Sequence, residues 1–234
     1  MKAIWFKAPK TASTSIRAAL LGFADTIKDF DRHRTELTPP QVLQILVDFF
    51  PFGKINGWYL GSDFPSKTHV CQVNGDQWYS YSQRYAGFYK QAYKFAVCRH
   101  PLERFISGYR YVDSELGLSV RSVLEILLTG SKGATQQLGG YAYEHLRPLH
   151  HFVPNDGETH NVDKLIRFES LQSDFDIVCR RLGIPKTRLP FTRKGKRLDG
   201  PSYNVTTYMD LFDDTTEAMA REYFAKDFKI FSYT

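Results

Sequence analysis

The sequence predicts an α/β fold in three layers, a central and mainly parallel sheet flanked by helices. Three observations lead there. Short apolar runs at 3–6, 68–73, 93–98 and 162–168 have the length and composition of buried strands. Segments of helical spacing alternate with them, the pattern of crossover connections between parallel strands. No internal repeat, low-complexity tract or linker divides the chain, so residues 1–234 are expected to form one domain.

In chain order, the strand at 3–6 enters a polar loop, after which Ile16, Ala19, Leu20 and Phe23 follow helical spacing. "TPPQVLQILVDFF" reads as a second helix: Thr38 can cap it, the prolines suit its first turn, and Val42, Ile45, Leu46 and Phe49 share a face. After the strand "THVCQV" (68–73), residues 79–90 read as a helix. "YKFAVC" (93–98) is a strand, and Pro101 opens the next helix. Ser119 caps a helix carrying Val120, Val123, Leu124 and Leu127. The strand "VDKLIRF" (162–168) precedes a helix over 170–183 that Gly183 closes. A stretch rich in Gly, Pro and basic residues (186–204) reads as an exposed loop, and 214–224 as the last helix.

Of the 234 residues, 42% are hydrophobic, enough for a full core, and the formal net charge is +6. That charge suits an anionic partner without separating nucleotides, sulfated glycans, nucleic acids and acidic lipids. Three distant cysteines, Cys71, Cys98 and Cys179, form neither a C-x-x-C pair nor a disulfide framework, which suits a reducing compartment. No apolar run has the length of a membrane span and no signal pattern opens the chain, so a cytoplasmic protein, or a soluble piece of a longer one, is expected.

The first chemical motif is "PKTASTS", residues 9–15, between strand and helix. A helix N-terminus after a buried strand presents free N–H groups and the positive end of its dipole to an anion. Ser13, Thr14 and Ser15 add hydroxyl donors and Lys10 adds a charge. One capping hydroxyl would need no ligand; a lysine with four hydroxyl residues at this junction points to an anion site. The loop lacks the glycines of G-x-x-x-x-G-K-[ST], so it is P-loop-like in position and a poor Walker motif in sequence.

The second motif is "CRHPLERFISGYRY". Arg99 leaves the carboxyl end of a strand, where open α/β sheets bind ligands. Arg104 and Ser107, three residues apart, share a helical face, and a guanidinium with a hydroxyl makes a phosphate clamp. Together the two motifs resemble the sulfotransferases that use 3′-phosphoadenosine 5′-phosphosulfate (PAPS), and in particular the carbohydrate branch that sulfates the 2-O position of uronic acids in heparan and dermatan sulfate. The resemblance implies that Lys10, Thr11, Ala12, Ser13, Thr14 and Ser15 cradle the 5′-phosphosulfate. It implies that Arg99 and Ser107 hold the 3′-phosphate, with Arg104 and Tyr109 shaping the site. His100 stands where the family usually has Asn or Asp. Weaker similarity extends through "LRPLHHFV", the segment around Glu169, and the closing "DFKIFSY". The basic run with Arg193 and Lys194 resembles a segment that folds over the nucleotide, and reads equally as a solvated charge run.

Sulfuryl transfer needs in-line positioning, positive charge at the leaving oxygen and a base for the acceptor proton. Lys10 is the expected partner of the leaving oxygen. His69, in "SKTHV", is the expected base, because related enzymes place a histidine between the two cofactor motifs; Lys67 could assist. His150, His151, Asp63 and Glu103 are its rivals. No metal is required, and the product would be 3′-phosphoadenosine 5′-phosphate (PAP). Aromatics between 58 and 93, among them Trp58, Tyr59, Trp78 and Tyr79, could stack on sugar rings or simply pack. The expected acceptor is therefore a carbohydrate or other hydroxyl compound. Two other readings stay open: an unusual P-loop kinase, which would need Mg²⁺ and ATP, and a non-catalytic binder of anionic glycans.

Overall fold

The computed structural model describes residues 2–20, 57–60, 69–74, 78–84, 86–190 and 211–234. Five strands, β1 (Lys2–Lys7), β2 (Gly57–Leu60), β3 (His69–Asn74), β4 (Tyr93–Cys98) and β5 (Lys164–Arg167), form one sheet in the order β2–β3–β1–β4–β5. The last four run parallel in that order, and β2 lies antiparallel at the edge. Helix α1 (Ser13–Leu20) follows β1. Helices α2 (Trp78–Arg84) and α3 (Ala86–Gln91) lead into β4. Four more, α4 (Pro101–Leu116), α5 (Val120–Leu128), α6 (Ser131–Leu138) and α7 (Gly140–Leu146), lie between β4 and β5. Helix α8 (Leu171–Leu182) follows β5, and α9 (Asp214–Tyr223) and α10 (Ala225–Ile230) come last.

Strand alternation builds the layers, because successive side chains point to opposite faces. Ala3, Trp5, Phe95 and Val97 face one way and pack on Ile16 and Leu20 of α1 and Phe175, Val178 and Leu182 of α8. Ile4, Phe6, Ala96 and Cys98 face the other way, onto Leu149, Phe152, Ile230 and Phe231. The expected α/β fold, a mainly parallel sheet between helical layers, is the one observed. A third core lies off the sheet, where Leu102, Phe105, Val123, Leu124 and Leu127 meet Leu146 and Phe224. Among the described residues, no helix is long and apolar enough to cross a membrane.

Local signals behave as their chemistry requires. Pro101 stands in the first turn of α4, Ser119 accepts the Ser122 N–H at 3.1 Å, and Gly183 ends α8 at φ 67°. Other expectations need adjusting. The segment 79–90 forms two short helices, and the strand expected over 162–168 narrows to β5, followed by a 3₁₀ turn at Phe168–Ser170. Strand β2 and helices α6, α7 and α10 are additional; α6 and α7 are short and flanked by Gly130, Gly139 and Gly140, which obscures their periodicity. The helix expected over 38–50 lies outside the described residues.

The C-terminal segment is tied down by one buried carboxylate. Asp227, fully buried, accepts the N–H groups of Leu149 at 2.6 Å and His150 at 2.8 Å, and contacts His150 Nδ1 at 2.8 Å. Asp227→Ala would leave those buried donors unpaired. It is expected to cost about 3 kcal/mol, a fall in Tm of about 6–12 °C in a thermal melt, whereas a change of under 2 °C would show that the carboxylate is dispensable.

Candidate functional site

Strand order alone fixes where a ligand belongs. The chain leaves β1 towards β3 on one side and leaves β4 towards β5 on the other, so the connections diverge between β1 and β4. In open α/β sheets the crevice at the carboxyl ends of such strands is the binding position. A cavity of about 1160 Å³ opens there, and both sequence motifs reach it: Lys10, Ala12, Ser13, Thr14 and Ser15 from the first, Arg99 and Ser107 from the second. Six basic side chains line it against three acidic ones, a balance that favours an anion.

The loop after β1 is held in an unusual backbone conformation. Lys10 and Ala12 have φ of 64° and 56°, the left-handed region that glycine occupies in comparable loops. Alternating such residues curls successive N–H groups toward a common centre, a concave anion cradle. Ala12 O accepts the Ile16 N–H at 3.1 Å, which starts α1 and leaves the first-turn N–H groups of residues 13–15 aimed out of the helix. Thr11 behaves differently from its expected role. Its side chain is 1% exposed and its hydroxyl donates to Ala8 O at 2.9 Å, so it closes the loop from within.

Arg104 braces the site from within. Its guanidinium is wholly buried, donating through Nε to Pro9 O at 3.3 Å and through Nη1 to Arg147 O at 2.8 Å. Burial draws its pKa down to about 10, still charged at neutral pH. Of the two motif arginines, Arg99 is the one that lines the cavity; it lies over the Phe168 ring at 4.3 Å and beside Glu103 at 3.4 Å. Ser107 reaches the cavity one turn along α4. Tyr109 donates its hydroxyl to Leu118 O at 2.8 Å and stacks on Phe105, serving the helical core.

The His100 ring makes no cap to α4; it packs edge-on against Phe228 and Tyr233. Glu169 compensates, its Oε1 accepting the His100 N–H and its Oε2 the Tyr233 hydroxyl, each at 2.9 Å. The thiol of Cys98 beside Tyr233 is pushed up to about 11 by burial, which suits an inert core residue.

His69 occupies the first position of β3, level with Lys2. Lys7, which lines the cavity, is level with Asn74, five residues further along. At about 3.3 Å per residue, that places the His69 backbone roughly 16 Å from the ligand end of the sheet. Among its rivals, His150 is fixed by Asp227 and Glu103 by Arg99, and neither reaches the cavity, nor does His151. Asp63 and Lys67, and the basic residues Arg193 and Lys194, lie outside the described residues. The loop leading to that basic run does reach the site: Gln172 accepts the Leu189 N–H at 2.8 Å and donates to Thr187 O at 3.2 Å, holding Lys186 and Arg188 at the cavity wall.

The wall residues that the sequence reading did not single out include Tyr111 and His145. The Tyr111 ring carries Lys10 Nζ at 3.9 Å from its centre, and the His145 ring lies 4.8 Å away. The available signal was the spacing of Tyr141 and His145, four apart and so on one helical face, immediately before "LRPLHHFV".

The fold and this cavity define an α/β protein of P-loop-like build, its basic cavity bounded by a glycine-free loop on one side and an arginine–serine wall on the other. The model of the Sulfotransferase family matches residues 2–234, and the chain belongs to that family. It is thus a transferase of sulfuryl groups. Comparison with curated proteins and with solved structures gives no match.

Two variants test the loop. Arg104→Met would strand the Pro9 and Arg147 carbonyls in the interior and should lower unfolding stability by about 3 kcal/mol in urea. Ala12→Val forces a β-branched residue into the left-handed region and should cost about 2 kcal/mol, whereas Ala12→Gly should stay within about 1 kcal/mol of the parent. Equal stabilities for the valine and glycine variants would mean that the loop relaxes out of this conformation.

Proposed function

We propose that the cavity takes PAPS as the sulfuryl donor and that the chain transfers its sulfuryl group to a hydroxyl of a carbohydrate or glycoconjugate. One observation carries the reading: two anion-binding segments, about 90 residues apart in sequence, meet in a single cavity at the divergence of β1 and β4. A nucleotide with phosphate groups at both ends of its ribose needs two such walls. The donor set fits it, with helix-start N–H groups and hydroxyls on one side and a planar guanidinium on the other.

In this reading the donor supplies an activated S–O bond, and the chain supplies position and charge. The N–H groups and hydroxyls of Ser13, Thr14 and Ser15, with the backbone of Thr11 and Ala12, bind the 5′ end. Lys10 leaves the Tyr111 ring for the leaving oxygen, where its charge offsets the negative charge that develops. Arg99 and Ser107 bind the 3′-phosphate, and Arg193 and Lys194 cover the nucleotide. The acceptor proton passes to a histidine, and no metal takes part. Buried free thiols at Cys98 and Cys179 suit a reducing, cytoplasmic setting.

Calorimetry tests the donor. PAP should bind without Mg²⁺, AMP should bind at least tenfold more weakly, and Arg99→Ala should weaken PAP by about 10–100-fold, the loss of a charged hydrogen-bonding group. Preference for Mg-ATP would replace this reading with the kinase, and salt-sensitive glycan binding without nucleotide would replace it with the binder.

A further inference from the structure

We propose that His145 is the catalytic base, taking the acceptor hydroxyl's proton at Nε2. The inference rests on the sulfuryl-transfer reading above and names a residue that neither sequence motif contains. His145 lines the same cavity as Lys10, Ser13 and Arg99, half-buried in its wall.

Its tautomer follows from its surroundings. His145 Nδ1 lies 2.9 Å from the Tyr141 carbonyl oxygen. A carbonyl can only accept, so Nδ1 carries the hydrogen, and in the neutral ring Nε2 keeps its lone pair. The ring is held between Tyr141, 4.7 Å away, and Tyr111, 4.8 Å away, and the Tyr141 hydroxyl donates to that of Tyr111 at 2.9 Å. Helix α7 is seated close to α4 because residue 108 is glycine: a Cβ there would fall 2.5 Å from the His145 carbonyl oxygen. The helix that carries Ser107 thus also sets the depth of His145.

The charges around the ring keep it neutral. Burial is the main cause of its lowered pKa; Lys10, Arg104 and Lys7 add to it, and the hydrogen bond to Tyr141 opposes it. Glu144, the nearest carboxylate in sequence, pairs with Arg147 at 2.6 Å. Among the described residues, the Tyr111 and Tyr141 rings also pack against it. An imidazole with a pKa below 6.5 is a free base at neutral pH.

Both groups pack on the Tyr111 ring, Lys10 Nζ 3.9 Å and the His145 ring 4.8 Å from its centre. The reaction needs both groups. The acceptor oxygen bonds to sulfur as the bond from sulfur to the leaving phosphate oxygen breaks; the acceptor proton goes to Nε2, and the developing charge on the phosphate oxygen is met by Lys10.

The test uses the whole chain and water as the hydroxyl probe, so the acceptor need not be known. In ¹⁵N NMR, the His145 ring, assigned with His145→Asn, should be neutral at pH 7, protonated at Nδ1, with a pKa below 6.5. Sulfate release from PAPS should rise with pH through that pKa and level off above it. His145→Asn can still donate to the Tyr141 carbonyl; it should lose at least 30-fold in kcat and the acid limb of the profile, while PAP affinity stays within threefold. His69→Ala should change neither. A ring charged or protonated at Nε2 at pH 7, or near-normal turnover in His145→Asn, would overturn the assignment while leaving the donor reading intact. Failure of the parent protein to bind PAP would instead bring down that reading, and this inference with it.

Discussion

The buried guanidinium of Arg104 holds the site together. It bonds the carbonyl of Pro9, in the loop after β1, and that of Arg147, at the end of α7, from a position one turn into α4. Three segments that are remote in sequence are thereby locked at one point: the anion cradle, the arginine–serine helix and the histidine-bearing helix. A buried cation is costly to desolvate, and carbonyl oxygens that would otherwise be stranded in the interior offset that cost. Arginine suits the role because its planar fork can reach two acceptors at once. The second arginine of the motif is therefore the one that sets the spacing of the others.

That spacing allows strain to be kept where it is useful. Lys10 and Ala12 hold left-handed backbone without being glycine, at a cost of about 1–3 kcal/mol each. A glycine loop would reach the same shape with less strain and more freedom. Here the Thr11 hydroxyl inside the loop and the Arg104 bond to Pro9 maintain it, so the cradle is preorganised rather than assembled around the ligand. The parallel sheet beneath supplies the rigid base, with Ile4 and Phe6 of β1 fully buried just before the loop begins.

The far end of the chain closes the same region. Glu169 and Tyr233 link the turn before α4 to the C-terminal segment, and Asp227 joins α10 to the turn after α7. Each contact spans more than 60 residues of sequence. The elements that carry Arg99 and His145 are thus braced from the far end of the chain.

Much of the architecture was legible from local pattern. The strand runs, the Pro101 start, the Ser119 cap and the Gly183 stop depend on turn chemistry and periodicity, which a short stretch of sequence carries by itself. The two anion motifs were legible for the same reason: a strand, a loop of donors and a helix start are contiguous. What the sequence could not decide is which side chains of those motifs face the ligand. Thr11 and Arg104 read as donors to an anion and turn out to be internal braces, because their direction depends on carbonyls supplied by Ala8, Pro9 and Arg147. Strand register displaced His69 from the ligand end of the sheet, and helix packing at Gly108 brought in His145 from a segment without a motif. Element identity is a local property of this chain; the composition of the cavity wall is set by contacts across many tens of residues, and only the tertiary structure decided it.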